Sequence, residues 1–551
     1  MREVIEAALQ GAIDVGQLPS VAADDRPAIE ISHPTRPDHG DLATNLALKL
    51  ARPMRRSPMA IAEAIAGALG PTGQLGPDGP LLGVEVAAPG FINLRLAEGY
   101  LERSLARARA MGAAFGRLEA EDPRRIDIEF VSANPTGPLT VGNARGAFVG
   151  DLLSRLLEAG GHSVTREYYF NDTNRQVSML GASIAARRVG EPVPQDGYHG
   201  GYVADLSREM PDDVWADARR EGSERDAILG KWAAERIRAG IEASLRSLGV
   251  RFDVWKTEAS LYQEGWVDHA VERLRSGGHL YQQDGALWFR STTFGDDKDR
   301  VVIRANGQPT YFAADLGYVT EKFSRGFDEL IYIWGADHHG TVARNRNAAQ
   351  AMGFRREAVQ MLLYAWVHFV REGVDASMSK RAGEFISLDE LLAEVGTDAA
   401  RWYFASRATT SGIDFDIEAA KDQSAANPVH YVRYAHARIC SILRKASEVD
   451  LRPAGSLIGA LAGDQVSKGL CLAVLRLPEV VEDAVNAKET HGITSYATEL
   501  ATTFHAYYRD RRVVDTADPA TSTRRLALVD ATRQTIASTL GLLGISAPES
   551  M

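Results

Sequence analysis

Hydrophobic and polar positions change their spacing twice along the chain, and these changes predict three successive regions. Up to about residue 121, helical patterns are mixed with the strand-like stretch "VEVAAPGFINLRLA", in which a Pro-Gly pair marks a turn. From Ile126, short apolar runs alternate with helical patterns, as in "IDIEFV", "RGAFVGDLLSRLLEAG" and "SVTREYYF". Strands and helices that alternate in units of this length are typical of a parallel sheet covered by helices.

A polar interval and a helical end complete the pattern. Between residues 186 and 248 the apolar runs give way to "EPVPQDGYHGGY" and charged helical segments, and they return as "ALWFRS", "RVVIRA" and "ELIYIWG". We interpret this interval as a helical insertion. Beyond "EVGTDAARWYFAS" nearly every pattern is helical. The sequence therefore predicts an N-terminal α+β domain over 1–121, a Rossmann-like α/β parallel-sheet domain over 122–395, and an all-α helical bundle over 396–551.

Charge and composition restrict the classes of function. The chain carries 62 Lys and Arg against 73 Asp and Glu, a net charge of −11, which disfavours nonspecific nucleic-acid binding. The residues from Arg401 onward carry 17 of each sign, so the bundle is the better place for a polyanionic partner. Because no apolar run approaches the ~20 residues that span a bilayer and the start reads as an amphipathic helix, we expect a cytoplasmic protein.

Two loops are candidates for binding a phosphate chain. The stretch "SANPTGPLTVGNARGAFVGD" joins a strand to a helix, where free amide groups and the helix dipole favour anions. In "VDASMSKRAGEFISLDELL" a lysine lies in a glycine-containing loop ahead of a helix. Taken alone, the first pattern also fits a purely structural junction, and the second fits a solvated basic loop.

Further motifs give the chain a resemblance that covers essentially its full length. "EFVSANPTGPLTVGNARG" is similar to the first signature of class I aminoacyl-tRNA synthetases, and "SMSKRAGEF" is similar to their KMSK loop. "TYFAADLGYVTEKF", "IWGADHHG" and "NPVHYVRYAHARI" resemble segments of the arginyl-tRNA synthetases, as do "HGDLATNLAL" and "PGFINLRL" near the start. The sequence is thus identified as a member of the arginyl-tRNA synthetase family.

The resemblance implies a reaction and assigns residues to it. Members of the family activate arginine with ATP to arginyl-adenylate and then transfer it to the 3′ end of tRNA(Arg). The residues that would bind arginine are Glu129, Ser132, Asn134, Tyr311 and Asp315. Those that would bind ATP are Gly142, Asp337, His338, Met378, Ser379 and Lys380, with Lys380, Thr140 and Asn143 at the catalytic positions. Mg²⁺ would accompany the ATP phosphates, and we expect no metal site built by the protein and a monomeric enzyme.

Ordinary alternatives stay open at several of these positions. Asp315 would otherwise be a common helix carboxylate, and Tyr311 would be a core residue. For tRNA, the resemblance points to the N-terminal domain, including Asn93. In "NPVHYVRYAHARICSILRKA" an apolar stripe turns inward and leaves interleaved aromatic and basic residues outside, which suits stacking on unpaired bases but also fits a solvated helix face. The tRNA-binding candidates there are Tyr431, Arg433 and Arg438.

The chain departs from the family where the ATP phosphates would be contacted. Thr140 and Asn143 replace the two signature histidines, and Ser377 replaces the first lysine of the KMSK loop. Neutral donors cannot supply the positive charge of the lost groups, so adenylate formation is expected to be less efficient. One alternative is therefore a paralogue that binds arginine or tRNA without efficient activation, and another is a protein that passes arginine to a different acceptor. Val319, where relatives commonly show a histidine, has no explanation in the sequence.

Overall fold

The computed structural model describes residues 1–22, 25–34, 36–76, 79–172, 174–336, 339–375 and 387–551. Its first region is a small α+β unit. A three-stranded antiparallel sheet of order β1-β3-β2 is covered by helices, and the hairpin predicted around the Pro-Gly turn joins β2 to β3. The elements of this region are α1 (Arg2–Asp14), β1 (Leu42–Thr44), α2 (Leu46–Met54), α3 (Pro58–Leu69), β2 (Leu81–Ala87), β3 (Phe91–Leu96) and α4 (Glu98–Met111).

The second region contains the parallel sheet that the alternating pattern predicts. Its elements are β4 (Arg125–Phe130), α5 (Val141–Ala159), β5 (Ser163–Phe170), α6 (Arg175–Val189), α7 (Gly201–Glu209), α8 (Asp212–Arg220), α9 (Arg225–Ser247), β6 (Val254–Thr257), α10 (Glu258–Gln263), α11 (Trp266–Ser276), β7 (Leu280–Gln283), β8 (Ala286–Phe289), β9 (Arg300–Ile303), α12 (Tyr311–Ser324), β10 (Glu329–Gly335), α13 (His339–Ala351), β11 (Val359–Tyr364), β12 (Val367–Arg371), β13 (Val374–Asp375) and α14 (Leu388–Val395).

Five parallel strands form the main sheet, in the order β11-β10-β4-β5-β6. Helices α6 to α9 lie between the neighbouring strands β5 and β6, so the polar interval is a helical excursion from the sheet. Of the runs that follow it, "ELIYIWG" forms β10 in this sheet, whereas "ALWFRS" and "RVVIRA" form β8 and β9 in a separate antiparallel sheet of order β7-β8-β9.

The third region is mainly helical. Its elements are α15 (Thr397–Ala405), β14 (Ile413–Asp416), α16 (Ile417–Lys421), α17 (Pro428–Glu448), α18 (Gln465–Leu475), α19 (Leu477–Ala487), α20 (His491–Asp510) and α21 (Pro519–Leu542). The exception to the helical pattern is β14, which pairs in parallel with β12 and so ties residues beyond 396 to the preceding region. The α/β fold class with an N-terminal α+β unit and a helical bundle is confirmed; the domain boundaries stay predictions.

Buried apolar side chains form two clusters. The larger one runs from the N-terminal unit through α5 and the sheet into the bundle. The smaller one packs α11 and α12 against β10, and it contains Val319, which is only 2% exposed. At this position the chain therefore fills an apolar core. Among the described residues, no helix is both long enough and apolar enough to cross a membrane.

Candidate active site

The candidate site lies where the main sheet changes its direction of growth. Strands β4, β5 and β6 extend the sheet to one side, whereas β10 lies on the other side of β4. Ligands of open α/β sheets bind at such a switch point, in the crevice outside the carboxyl ends of the strands. The first candidate phosphate loop follows β4, and Asp337 and His338 follow β10 outside the described residues.

The chain leaves β4 through a strained turn. Val131 and Ser132 have φ angles of 67° and 39°, in a left-handed region that a β-branched residue rarely adopts. In this conformation the Ser132 hydroxyl donates to Glu129 Oε1 over 3.1 Å and its oxygen accepts the Tyr169 amide over 3.0 Å. The turn thus fastens Ser132 to the last carboxylate of β4. Farther along, the Asn134 amide donates to Gln176 Oε1 over 2.8 Å.

Three carboxylates influence one another beside this turn. Burial, together with the negative charges of Glu129 and Glu258, raises the pKa of Asp315 to about 7, although Arg344 opposes the shift. Burial also raises the pKa of Glu129 and of Glu258. The buried cation on the same helix as Asp315, Lys322, is paired with Glu129 and Asp127 and not with Asp315 or Glu258. A cationic ligand would therefore gain charge partners here.

Glu258 was missed by the sequence analysis. It begins α10 directly after β6, at the same edge of the sheet as the end of β4, and that position after a strand was the available signal. Its carboxylate accepts the Tyr169 hydroxyl at 2.9 Å and the Asn171 amide, with the Tyr262 hydroxyl at 3.5 Å. A cleft of about 520 Å³ opens beside it, lined also by Tyr311, whose side chain is 61% exposed.

One face of α12 carries two charged side chains and a tyrosine. Asp315, Tyr318 and Lys322 are spaced at i, i+3 and i+7, which is one side of a helix. Lys322 is fully buried, with its Nζ atom 2.7 Å from Asp127 Oδ1 and 2.9 Å from Glu129 Oε2. Its ammonium also lies over the rings of Tyr318 and Tyr332 at 4.4 and 4.3 Å. Lys322 therefore holds Glu129 in place.

The N-terminus of α5 is capped by side chains of its own first turn. The backbone amide and the hydroxyl of Thr140 both donate to Asn143 Oδ1, over 3.1 and 3.2 Å. Thr140 and Asn143 are thus hydrogen-bonded to each other as a helix cap. Among the described residues, an added Cβ at Gly142 would approach the Thr140 hydroxyl alone, at 3.5 Å, so those residues leave space above the first turn.

The second candidate loop lies outside the described residues, and with it Ser377, Met378, Ser379 and Lys380. Its two ends are described. Before it, β12 and β13 form a hairpin, and after it Ser387 pairs with Thr140 while the Leu388 amide donates to the Leu139 carbonyl over 3.0 Å. The chain therefore returns from this loop to the start of α5.

The tRNA-binding candidates differ in their surroundings. Asn93 lies in the middle of β3 and is only 7% exposed. Tyr431 packs on His505 with ring centroids 4.9 Å apart, and the Arg438 guanidinium lies 4.8 Å from the Tyr508 ring centroid. Arg433, expected to face outward, instead bonds to Asp398 and Ser546.

That contact of Arg433 joins three parts of the chain. Its guanidinium lies 3.4 Å from Asp398 Oδ2 and donates to Ser546 Oγ over 3.2 Å. The expectation of a free outward side chain was wrong at this position because the C-terminal segment, which periodicity in α17 cannot foresee, folds back over the helix.

For metals, the described residues contain no group of three or more His, Cys, Asp or Glu side chains that could hold an ion.

Family models match the chain in three successive parts. They are the arginyl tRNA synthetase N terminal domain at residues 1–96, the catalytic domain of tRNA synthetases class I (R) at 110–196 and 221–441, and the DALR anticodon binding domain at 432–551. The unmatched residues 197–220 contain α7 and α8.

Curated relatives and a solved structure agree with this assignment. An arginine–tRNA ligase of Syntrophotalea carbinolica is 42% identical over 565 residues, covering 100% of this chain and 99% of the relative. One from Desulforudis audaxviator is also 42% identical, with the same coverage. The arginyl-tRNA synthetase of Thermus thermophilus has a similar fold, with a TM-score of 0.78 at 24% identity over the whole of both chains. The chain belongs to the arginyl-tRNA synthetase family of class I tRNA synthetases.

Proposed function

We propose that the chain is an arginine–tRNA ligase. In the first step an oxygen of the arginine carboxylate attacks the α-phosphorus of ATP, the bond to the β-phosphate breaks, and pyrophosphate leaves. In the second, a ribose hydroxyl at the 3′ end of tRNA(Arg) attacks the activated carbonyl, loses its proton, and expels AMP. The observation that carries this proposal is the group of mutually repelling carboxylates Glu129, Glu258 and Asp315 beside the end of β4, which suits a substrate with two cationic groups.

Arginine would lie between the end of β4 and α12. Asp315 and Glu258 accept hydrogen bonds from the guanidinium, and the exposed ring of Tyr311 covers it. Glu129, fixed by Ser132 and Lys322, takes the α-ammonium group, and Asn134 binds the carboxylate end. A guanidinium between two buried carboxylates replaces their repulsion with attraction, so binding should restore the ordinary ionisation of Asp315.

ATP would lie over the start of α5, with Mg²⁺ bound to its phosphates as part of the substrate. The open space above Gly142 lets a phosphate approach the helix amide groups closely. We assign Asp337, His338, Met378, Ser379 and Lys380 to the same substrate. Thr140 and Asn143 are neutral and hydrogen-bonded to each other, so we infer that transition-state charge receives less stabilisation here than from two histidines.

The tRNA would be bound by the N-terminal domain, residues 1–121, and by the bundle, residues 396–551. Residues 122–395 form the domain in which both chemical steps occur. In the bundle, Tyr431 and Arg438 are better placed for RNA than Arg433, which is occupied by Asp398 and Ser546. For Asn93, its burial in β3 favours a role in holding the strand over a direct contact.

Arginine-dependent exchange of pyrophosphate into ATP, with and without tRNA(Arg), tests the proposal. We expect exchange with arginine but not with citrulline, which has the same shape and lacks the guanidinium charge. Asp315→Asn should raise the KM for arginine in this exchange at least about tenfold while leaving the protein folded. Calorimetric binding of arginine without exchange under either condition would instead identify a protein that binds arginine and does not activate it.

A further inference from the structure

A single buried arginine connects the first turns of α5 to two distant segments. Arg145 is fully buried, four residues into α5, and among the described residues its guanidinium donates to backbone carbonyl groups alone. Nη1 donates to Ala365 O over 2.8 Å and lies 3.4 Å from Trp366 O. Nη2 donates to three carbonyls, those of Ala408, Thr409 and Ser411, over 3.0, 3.0 and 2.7 Å. No carboxylate of the described residues forms an ion pair with it.

The two segments lead to different parts of the enzyme. Residues 365–366 are the link between β11 and β12, and the β12–β13 hairpin runs directly into the loop with Met378, Ser379 and Lys380. Residues 408–411 join α15 to β14, which pairs with β12. The Ala365 amide also donates to Thr409 O over 2.9 Å, so the two segments are bonded to each other as well as to Arg145.

The bundle reaches the same place through one carboxylate. Glu489, between α19 and α20, accepts the Thr409 amide over 3.1 Å and the Thr409 hydroxyl over 2.7 Å. Thr409 thus donates two hydrogen bonds to the bundle through Glu489, and its carbonyl accepts one from Arg145. A displacement of Glu489 would therefore move Thr409. Because the Thr409 carbonyl accepts hydrogen bonds from Arg145 of α5 and from the Ala365 amide ahead of β12, these two segments would move with it.

A second buried arginine provides a matched comparison. Arg401 on α15 is also fully buried; it donates to Leu248 O over 2.9 Å, to Leu543 O over 2.7 Å, and to Asp151 of α5. It therefore ties the same helix to the end of α9 and to the end of α21. Its acceptor on α5, Asp151, lies ten residues beyond the start of that helix, and its other acceptors lie at the ends of α9 and α21. Among the described residues, Arg401 therefore does not bond to residues 365–366 or 408–411, and we expect its role to be confined to holding domains together.

We propose that Arg145 is a positioning residue for the ATP site. The contacts Glu489–Thr409–Arg145 then couple the position of the bundle to the geometry of that site. The inference rests on the proposed function, because the ATP site is part of it. A planar guanidinium with several fixed donors can hold five carbonyl groups in one arrangement, which a lysine ammonium with three donors cannot do. A change in the bundle, such as binding of an RNA, then alters the spacing between α5 and β12.

The test compares Arg145→Lys, Glu489→Gln and, as the matched control, Arg401→Lys. In the first two we expect the KM for ATP in pyrophosphate exchange to rise at least about fivefold, with arginine affinity unchanged by calorimetry. We also expect faster hydrogen exchange at the amides of Val367–Arg371. Arg401→Lys should lower the melting temperature, yet it should leave the KM for ATP and the β12 amides unchanged.

The outcomes separate this inference from the proposed function. If the wild type shows no exchange, the proposed function fails, and the affinity for a nonhydrolysable ATP analogue together with the β12 amides still tests Arg145. If Arg145→Lys does not fold, Glu489→Gln carries the test, because the Glu489 side chain is itself 23% exposed and the substitution removes only its charge. Equal effects of Glu489→Gln and Arg401→Lys on the KM for ATP and on the β12 amides would overturn the inference and leave only a structural role.

Discussion

Single carboxylates around the cleft differ in what neutralises them. Glu167 has Arg325 beside it at 2.6 Å, and although burial opposes the shift, the charges of Lys322 and Arg325 lower the pKa of Glu167. Glu129 shares Lys322 with Asp127. Asp315 has no such partner on its own helix, and its pKa is raised to about 7. Asp315 thus lacks the paired cation that Glu129 and Glu167 have, and the guanidinium of arginine could take that place.

The raised pKa of Asp315 predicts how arginine binding depends on pH. Because only the ionised carboxylate attracts the guanidinium, the association constant should rise by up to about tenfold per pH unit below pH 7 and level off above it. Isothermal calorimetry between pH 5.5 and 8 measures this. Asp315→Asn should bind arginine about 10- to 100-fold more weakly, because hydrogen bonds to charged groups contribute ~1.5–3 kcal/mol, and its pH dependence should be flatter.

The stability of the ligand-free protein should change in the opposite direction. The unfolded carboxyl ionises near pH 4 whereas the folded one retains its proton to about pH 7, so Asp315 reduces the free energy of unfolding progressively across that interval. Melting temperatures of the wild type and Asp315→Asn should therefore diverge as pH rises from 4 to 7. Parallel curves would mean that Asp315 titrates normally and is not enclosed among carboxylates.

At the scale of elements, two helix starts meet at the proposed ATP site. Thr140 before α5 pairs with Ser387 before α14, and each helix is capped by its own side chains. In the second cap the Glu390 carboxylate accepts the Ser387 amide over 2.7 Å. Two helix dipoles favour a phosphate here, but neutral or acidic caps replace the positive charge expected in the family. Binding of a nucleotide and stabilisation of its transition state are therefore separable.

Restoring the signature charges tests that separation. The triple variant Thr140→His, Asn143→His and Ser377→Lys should raise arginine- and tRNA-dependent exchange at least about tenfold, with a smaller change in the KM for ATP, because cations act mainly as charge develops. Loss of the Thr140–Asn143 cap should cost about 1 kcal/mol of stability, seen as a lower melting temperature. A wild type that is already fast, together with a slower triple variant, would make the neutral cap a working alternative.

The sequence predicted elements and loops better than it predicted contacts. The β4–loop–α5 unit and the β2–β3 hairpin follow from local spacing and turn residues. Arg145 could not be foreseen, because its acceptors are between 220 and 266 positions away along the chain. The strand β14 could not be predicted from the local sequence for the same reason, because its four residues form a strand only by pairing with β12. Lys322 lies seven residues after Asp315, a helical spacing that could have identified it.

At the scale of the whole molecule, the two candidate tRNA-binding regions contact each other directly. Arg109 at the end of α4 binds Asp530 of α21 over 2.9 Å, and Lys468 of α18 binds Asp41 ahead of β1 over 2.7 Å. The N-terminal unit and the bundle are therefore joined by direct ion pairs, and an RNA held by both would contact one connected body. Glu489 is the point at which that body bonds to the segment that Arg145 holds.

Two arginines on α17 make opposite predictions for tRNA binding, although they differ by only five positions. Arg438 lies over the rings of Tyr434 and Tyr508, beside an aromatic surface that can stack on unpaired bases, whereas Arg433 is held by Asp398. Arg438→Glu should weaken tRNA(Arg) binding and reduce the slope of log affinity against log salt by about one, the loss of one phosphate contact.

Arg433→Glu is the matched control for this prediction. It changes net charge by the same amount on the same helix, so any general effect of charge is common to both variants. It should lower the melting temperature, because a second carboxylate beside Asp398 is repelled, while leaving the salt slope of tRNA binding near that of the wild type. Filter binding across a salt series measures both slopes. Equal losses in the two variants would mean that RNA senses only the overall charge of the bundle, and the aromatic surface around Arg438 would then be an ordinary solvated helix face.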